Sequence, residues 1–300
     1  MKGTSEEGTT PAGESGPRVG PGRGRTEGSL PSPGGALLLV FGVAFFFLIG
    51  GGLLYALLGE GGLVLGHLLF LGLPAVLYVL LRGHDPVRSL ALRLPTRRKA
   101  LGGVLILAGG VPLAWFLAWL QSLVVPVPVD YLEAMVEILT ADSVSRYLWL
   151  MVMVAIVPAI SEELLFRGPL LSGLRNGLPL VVAVVVSGLI FGLFHTSPQT
   201  GFRILPTAWL GILLAWVVVA SGSLPLAVLL HFLNNGAIIT LAAIPRTREM
   251  VSGAEASPDP LLLLAAVVLL VVGLRLLGRP PAGPRHAPGA GDGVVGESPP

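Results

Sequence analysis

Two adjacent glutamates, Glu162 and Glu163, lie within the apolar segment AISEELLFRG at residues 159–168, and Arg167 follows at the end of that segment. On a helix, residues four apart share a face, so Glu163 and Arg167 are placed to form an ion pair. Glu162 points about 100° away and has no partner on its own helix. An unpaired carboxylate in apolar surroundings is costly. Glu162 is therefore the candidate general base or acid of a reaction site.

Two later segments carry the remaining chemistry. FGLFH places His195 four residues after Phe191, and HFLNN places His231 and Asn235 on one helical face. A carboxylate with two histidines can bind a catalytic divalent metal such as zinc through Glu162, His195 and His231. It can also work without a metal: Glu162 and His195 then activate water, while His231 and Asn235 donate hydrogen bonds to an oxyanion. The asparagine and the lack of a His-Glu-x-x-His element favour the second reading.

The composition places these residues in a membrane. Of 300 residues, 53% are hydrophobic and 12% are charged, about half the charged fraction of an ordinary soluble domain. The chain has no cysteine, which excludes disulfides, thiolate metal sites and cysteine nucleophiles. All five aspartates fall outside the apolar runs, so an aspartyl-type membrane protease is excluded too. The basic residues lie mostly in the tails and one loop, which gives no indication of nucleic-acid binding.

Apolar runs near 20 residues, long enough to cross a bilayer as helix, predict an all-α polytopic membrane protein. Eight spans are expected, with an intramembrane cavity for the active site: 36–59, 61–81, 101–125, 147–167, 178–196, 205–221, 224–244 and 260–278. The loop 82–99 holds six Lys/Arg, whereas 126–146 holds four acids and one Arg. The positive-inside rule then places loop 82–99, and with eight spans both termini, in the cytoplasm.

The chain divides into five parts on this reading. Residues 1–35 and 279–300 are rich in Gly and Pro and are expected to be disordered tails. Residues 36–146 hold the first membrane helices and the basic loop, 147–243 hold the catalytic core, and 244–278 hold the last helix. Gly168-Pro169 is expected to break the fourth span and let the following residues lie along the membrane interface.

The three motifs, in this order, resemble those of the CAAX protease and bacteriocin-processing (CPBP, or Abi) family, which includes the type II CAAX prenyl endopeptidases. They are Glu162-Glu163-x-x-x-Arg167, Phe191-x-x-x-His195 and His231-x-x-x-Asn235. The resemblance implies a membrane-embedded peptidase that cleaves a peptide or protein substrate. It also implies that Glu162 and His195 activate water, that His231 and Asn235 form the oxyanion hole, and that Glu163 and Arg167 support the site. No cofactor is required on that mechanism.

Three interpretations stay open. A peptidase in the bacterial plasma membrane leads; a catalytically silent scaffold or immunity protein of the same fold is the second, and a proton-coupled transporter using Glu162 and the histidines is the third. The intact set of glutamate, histidines and asparagine argues against the silent scaffold. His67 stands alone among leucines and glycines of the second span, and a structural or helix-packing role is favoured over a catalytic one.

Overall fold

The computed structural model describes residues 29–197, 200–244, 247 and 257–280. Most of both predicted tails lies outside these ranges. The first helix begins at Pro33, where the Ser32 side chain accepts a hydrogen bond from the Gly35 N–H. A serine cap followed by proline is a strong helix start. The helix therefore begins three residues before the predicted first span, 36–59.

Helices make up the fold, and the described residues contain no strand. Within the described ranges, seven helices are long and apolar enough to cross a bilayer, and the helix Leu180–Phe194, with 15 residues, is shorter. The helices are α1 Pro33–Leu58, α2 Glu60–Leu81, α3 Pro86–Ser89, α4 Arg97–Ser122, α5 Val129–Leu139, α6 Val144–Arg175, α7 Leu180–Phe194, α8 Gly201–Ser221, α9 Leu224–Ala243 and α10 Pro260–Leu277. The predicted all-α polytopic membrane architecture is confirmed, and the chain is an integral membrane protein.

Helix α6 departs most from regular geometry. It contains π turns at Met151–Ile156 and Phe166–Leu170, and its backbone breaks at Gly168, where ψ is −112°. The predicted break is confirmed, and the interfacial position of the next turn remains a prediction. Gly173 packs against Ala36 of α1, and the segment Leu171–Leu174 is buried. The helix extends to Arg175 because α1 covers that last turn.

Glycines let two helix pairs approach closely. A Cβ on Gly109 of α4 would collide with the Ala266 carbonyl of α10. The same holds for Gly188 of α7, where a Cβ would lie 2.6 Å from the Ile212 backbone nitrogen of α8. Small residues of this kind allow membrane helices to pack backbone to backbone. The two tight pairs support α6 and α9, which carry most of the site.

Candidate active site

Glu162 and Glu163 are both buried in α6, and they have different partners. Arg167 donates to Oε1 of Glu163 at 2.8 Å, one turn along the same helix. This confirms the predicted ion pair. The Arg167 side chain is buried as well, and its second terminal nitrogen donates to the Gly211 carbonyl of α8 at 3.1 Å. Burial of both charges is tolerated because they neutralise each other and hydrogen-bond.

Glu162 faces three imidazoles from three other helices. The Nε2 atom of His195, at the end of α7, lies 3.4 Å from Oε2 of Glu162, and that of His231, in α9, lies 3.9 Å from the same oxygen. The Nε2 atom of His67, in α2, lies 3.6 Å from Oε1. The sequence interpretation brought Glu162, His195 and His231 together, as the structure does. The structure also places His67, which the sequence interpretation assigned to helix packing, beside the same carboxylate.

Each imidazole is oriented by a hydrogen bond on its outer nitrogen. Nδ1 of His67 lies 2.9 Å from the Leu63 carbonyl, and Nδ1 of His195 lies 2.8 Å from the Phe191 carbonyl. Nδ1 of His231 lies 2.9 Å from Oε1 of Glu163. Carbonyls and carboxylates only accept, so all three Nδ1 atoms carry a proton. In the neutral form of each ring, Nε2 therefore presents a lone pair towards Glu162.

Phe191 connects these groups. Its ring lies 4.4 Å below the Arg167 guanidinium carbon, a cation–π contact. The same ring packs against His195 with centroids 4.6 Å apart and edge-on against His231 at 5.9 Å. These contacts make Phe191 a packing residue that shapes the site.

Asn235 lies one turn beyond His231 on α9. Its amide nitrogen donates to the Val154 carbonyl of α6 at 3.0 Å, and its oxygen accepts from Asn234 at 3.1 Å. The Val154 carbonyl is open to this donor because the residue four positions on is Pro158, which has no N–H. An amide carries two N–H groups, so Asn235 keeps a second donor for another acceptor.

A divalent metal is the alternative for Glu162, His195 and His231. The donor types suit zinc, and outward Nδ1–H bonds are common in histidines that bind metals. In the part of the chain that the structure describes, however, no three or more such side chains are arranged to hold a metal ion. The metal-free mechanism remains a prediction, and no step is derived through a metal.

The segment that carries the three motifs was compared with known protein families. Residues 144–237 match the family model of the type II CAAX prenyl endopeptidase Rce1-like proteins. The Rce1-like segment runs from the start of α6 into α9 and contains all three motifs. This confirms the resemblance found in the sequence, over about a third of the chain. No match to a curated protein or to a solved structure was found.

The Rce1-like segment supports a membrane protein of the CAAX protease type, a class of hydrolases that acts on peptide bonds. His67 lies outside that segment, and sequence reasoning assigned it to helix packing. One sequence signal indicates His67 as a site residue: an ionisable residue within an apolar span is a functional candidate by default.

Proposed function

We propose that the protein is a membrane-embedded endopeptidase that hydrolyses a peptide bond with a water activated by Glu162 and His195. The observation that carries the proposal is the surroundings of Oε2 of Glu162. Among the described residues this buried oxygen has no hydrogen-bond partner, although His195 Nε2 lies 3.4 Å away. A water about 3 Å from both atoms can donate one hydrogen to each.

Hydrolysis then follows from the acceptor character of these two atoms. Glu162 takes a proton from the water while the water oxygen attacks the scissile carbonyl carbon. The same proton passes to the nitrogen of the leaving amine when the carbon–nitrogen bond breaks. Water thus supplies the hydroxyl of the new acid and the hydrogen of the new amine, and Glu162 returns to its starting state.

The negative charge that develops on the carbonyl oxygen needs donors. Asn235 can supply its second amide N–H, which the bond to Val154 leaves available. His231 can donate from Nε2 only when both ring nitrogens carry protons, because Nδ1 is already bonded to Glu163. Glu163 and Arg167 act as supports in this scheme: Glu163 accepts from His231, and Arg167 binds Glu163 and lies over the Phe191 ring.

A cleavage assay tests the proposal. Full-length protein purified in detergent is incubated with a peptide library, and products are identified by mass spectrometry. Replacing Glu162 with glutamine should reduce the rate by about 100-fold or more, the contribution of a general base, and His195→Ala should do the same. Glu60→Gln is the matched control, because Glu60 pairs with Arg146 at the end of α2 and lies outside the site.

The outcomes separate the competing functions. Cleavage by the wild type and by Glu60→Gln but not by Glu162→Gln supports the endopeptidase. Equal cleavage by all variants refutes it, and no cleavage of any peptide favours the catalytically silent scaffold. On the proposed function the protein works in the bacterial plasma membrane, with both termini in the cytoplasm, as the basic loop 82–99 favours.

A further inference from the structure

His67 is the polar group in the site that the three motifs do not account for. It comes from α2, outside residues 144–237, and its Nε2 lies 3.6 Å from Oε1 of Glu162. The two side chains are 16% and 6% exposed. His195 faces the other oxygen of the same carboxylate. Glu162 is therefore held between two imidazoles, one at each oxygen.

The ring of His67 is fixed from two further directions. Its Nδ1 donates to the Leu63 carbonyl one turn earlier, and Phe47 of α1 packs edge-on against it with centroids 5.0 Å apart. Phe47 also stacks on Phe194, the residue before His195, at 5.9 Å. The orientation of His67 is thus set by α1, α2 and α7 together, and it directs Nε2 towards Glu162.

Small residues face each other beside the pair, where α2 approaches α6. A Cβ on Gly72 would lie 3.4 Å from the Ser161 Cβ, at ordinary contact distance. The Ser161 hydroxyl donates to the Val157 carbonyl of its own helix at 2.7 Å, so it is engaged within α6. A π turn at His67–Gly72 begins at the histidine itself, and such turns are frequent at functional sites.

A shared proton would make this contact favourable. A neutral imidazole with Nδ1 protonated presents a lone pair at Nε2, and an ionised carboxylate presents another, so the two atoms repel at 3.6 Å. One proton between Nε2 and Oε1 converts that repulsion into a charge-assisted hydrogen bond. The carboxylate is then held at Oε1, while Oε2 stays turned towards His195.

We propose that His67 is a positioning residue that shares a proton with Oε1 of Glu162 and so keeps Oε2 as the base that faces His195. The inference rests on the proposed endopeptidase function. In each cycle the proton between His67 and Oε1 stays in place, and the proton taken from water is held on Oε2. His67 acts through Glu162 and does not itself contact the reacting atoms.

Kinetics of the full-length protein in the same cleavage assay test this role. His67→Leu removes the donor at similar volume, and His67→Gln restores an N–H donor. Leu71→Ala is the packing control, since Leu71 is buried one turn further on the same face of α2. We expect His67→Leu to lower kcat about 10- to 100-fold with little change in KM, as for a misplaced or unsupported catalytic group. His67→Gln should recover most of that loss, and Leu71→Ala should lower thermal stability with kcat near the wild-type value.

A fall in kcat shared equally by His67→Leu and Leu71→Ala would reduce His67 to a packing residue and overturn the inference. An unchanged kcat in His67→Leu would do the same. A second measurement is independent of activity: nitrogen NMR of protein labelled at its five histidines, with the His67 signals identified by their loss in His67→Leu. The Nε2 signal of His67 should shift in Glu162→Gln. A signal that does not move contradicts the shared proton, even if the protein cleaves no peptide and the proposed function fails.

Discussion

The buried pair of Arg167 and Glu163 gives a prediction whose size follows from the structure. Replacing Arg167 with methionine keeps much of the side-chain volume but removes the partner 2.8 Å from Glu163. The glutamate then remains as a buried charge, and its Oε2 has no hydrogen-bond partner among the described residues even in the intact pair. Breaking one side of a buried ion pair costs about 3–5 kcal/mol of unfolding free energy. We expect a loss of that size.

The double variant sharpens the prediction. Glu163→Leu alone should also cost about 3–5 kcal/mol, because it leaves the guanidinium buried and unpaired. When Arg167 and Glu163 are both replaced, neither charge of the pair remains. The Gly211 carbonyl loses its bond from Arg167 but lies within helix α8, so the group left unpaired is the Nδ1 donor of His231, at about 1–3 kcal/mol. The double variant should therefore lose on the order of 6 kcal/mol less than the two single losses together.

A matched ion pair in the same protein provides the control. Arg146 binds Glu60 through two nitrogens at 2.6 and 2.8 Å, but the two side chains are 28% and 36% exposed. Arg146→Met should cost about 1 kcal/mol or less, the usual value for an exposed pair. Unfolding free energies are measured by denaturant titration in mixed micelles, followed by tryptophan fluorescence. Additive losses in the double variant, or equal losses for Arg146→Met and Arg167→Met, would refute the reasoning.

Three further outcomes are expected. A strong chelator should leave cleavage unchanged; a loss that added zinc restores would establish a required metal. Asn235→Ala should lower kcat about 100- to 1,000-fold with little change in KM, as for removal of an oxyanion donor, and a pure KM effect would contradict that role. Gly109→Val should lower the thermal unfolding temperature because a Cβ there meets the Ala266 carbonyl, and the matched Gly52→Val, where a Cβ has open space, should not.

The sequence predicts much of this structure because its signals are local. Long apolar runs locate the spans, and the four-residue spacing places Arg167 beside Glu163. The contact between His67 and Glu162 joins residues far apart in sequence, and no periodicity in α2 points towards α6. The burial of the turn after Gly168 likewise depends on α1. The acidic segment 126–146 contains helix α5, Val129–Leu139, although its charged residues favoured a loop between two spans.

The position of each partner along the chain also bears on how α6 enters the membrane during synthesis. Glu163 and Arg167 belong to one helical turn, so their charges can neutralise each other as soon as the helix forms. His195 and His231 are translated after Glu162, so they cannot contact it when α6 first forms. His67 is translated earlier and has left the ribosome by then. An early contact with α2 would lower the cost of placing this carboxylate in lipid. Because α2 precedes α6 in the chain, His67 is available as a partner for Glu162 before the later helices are synthesised.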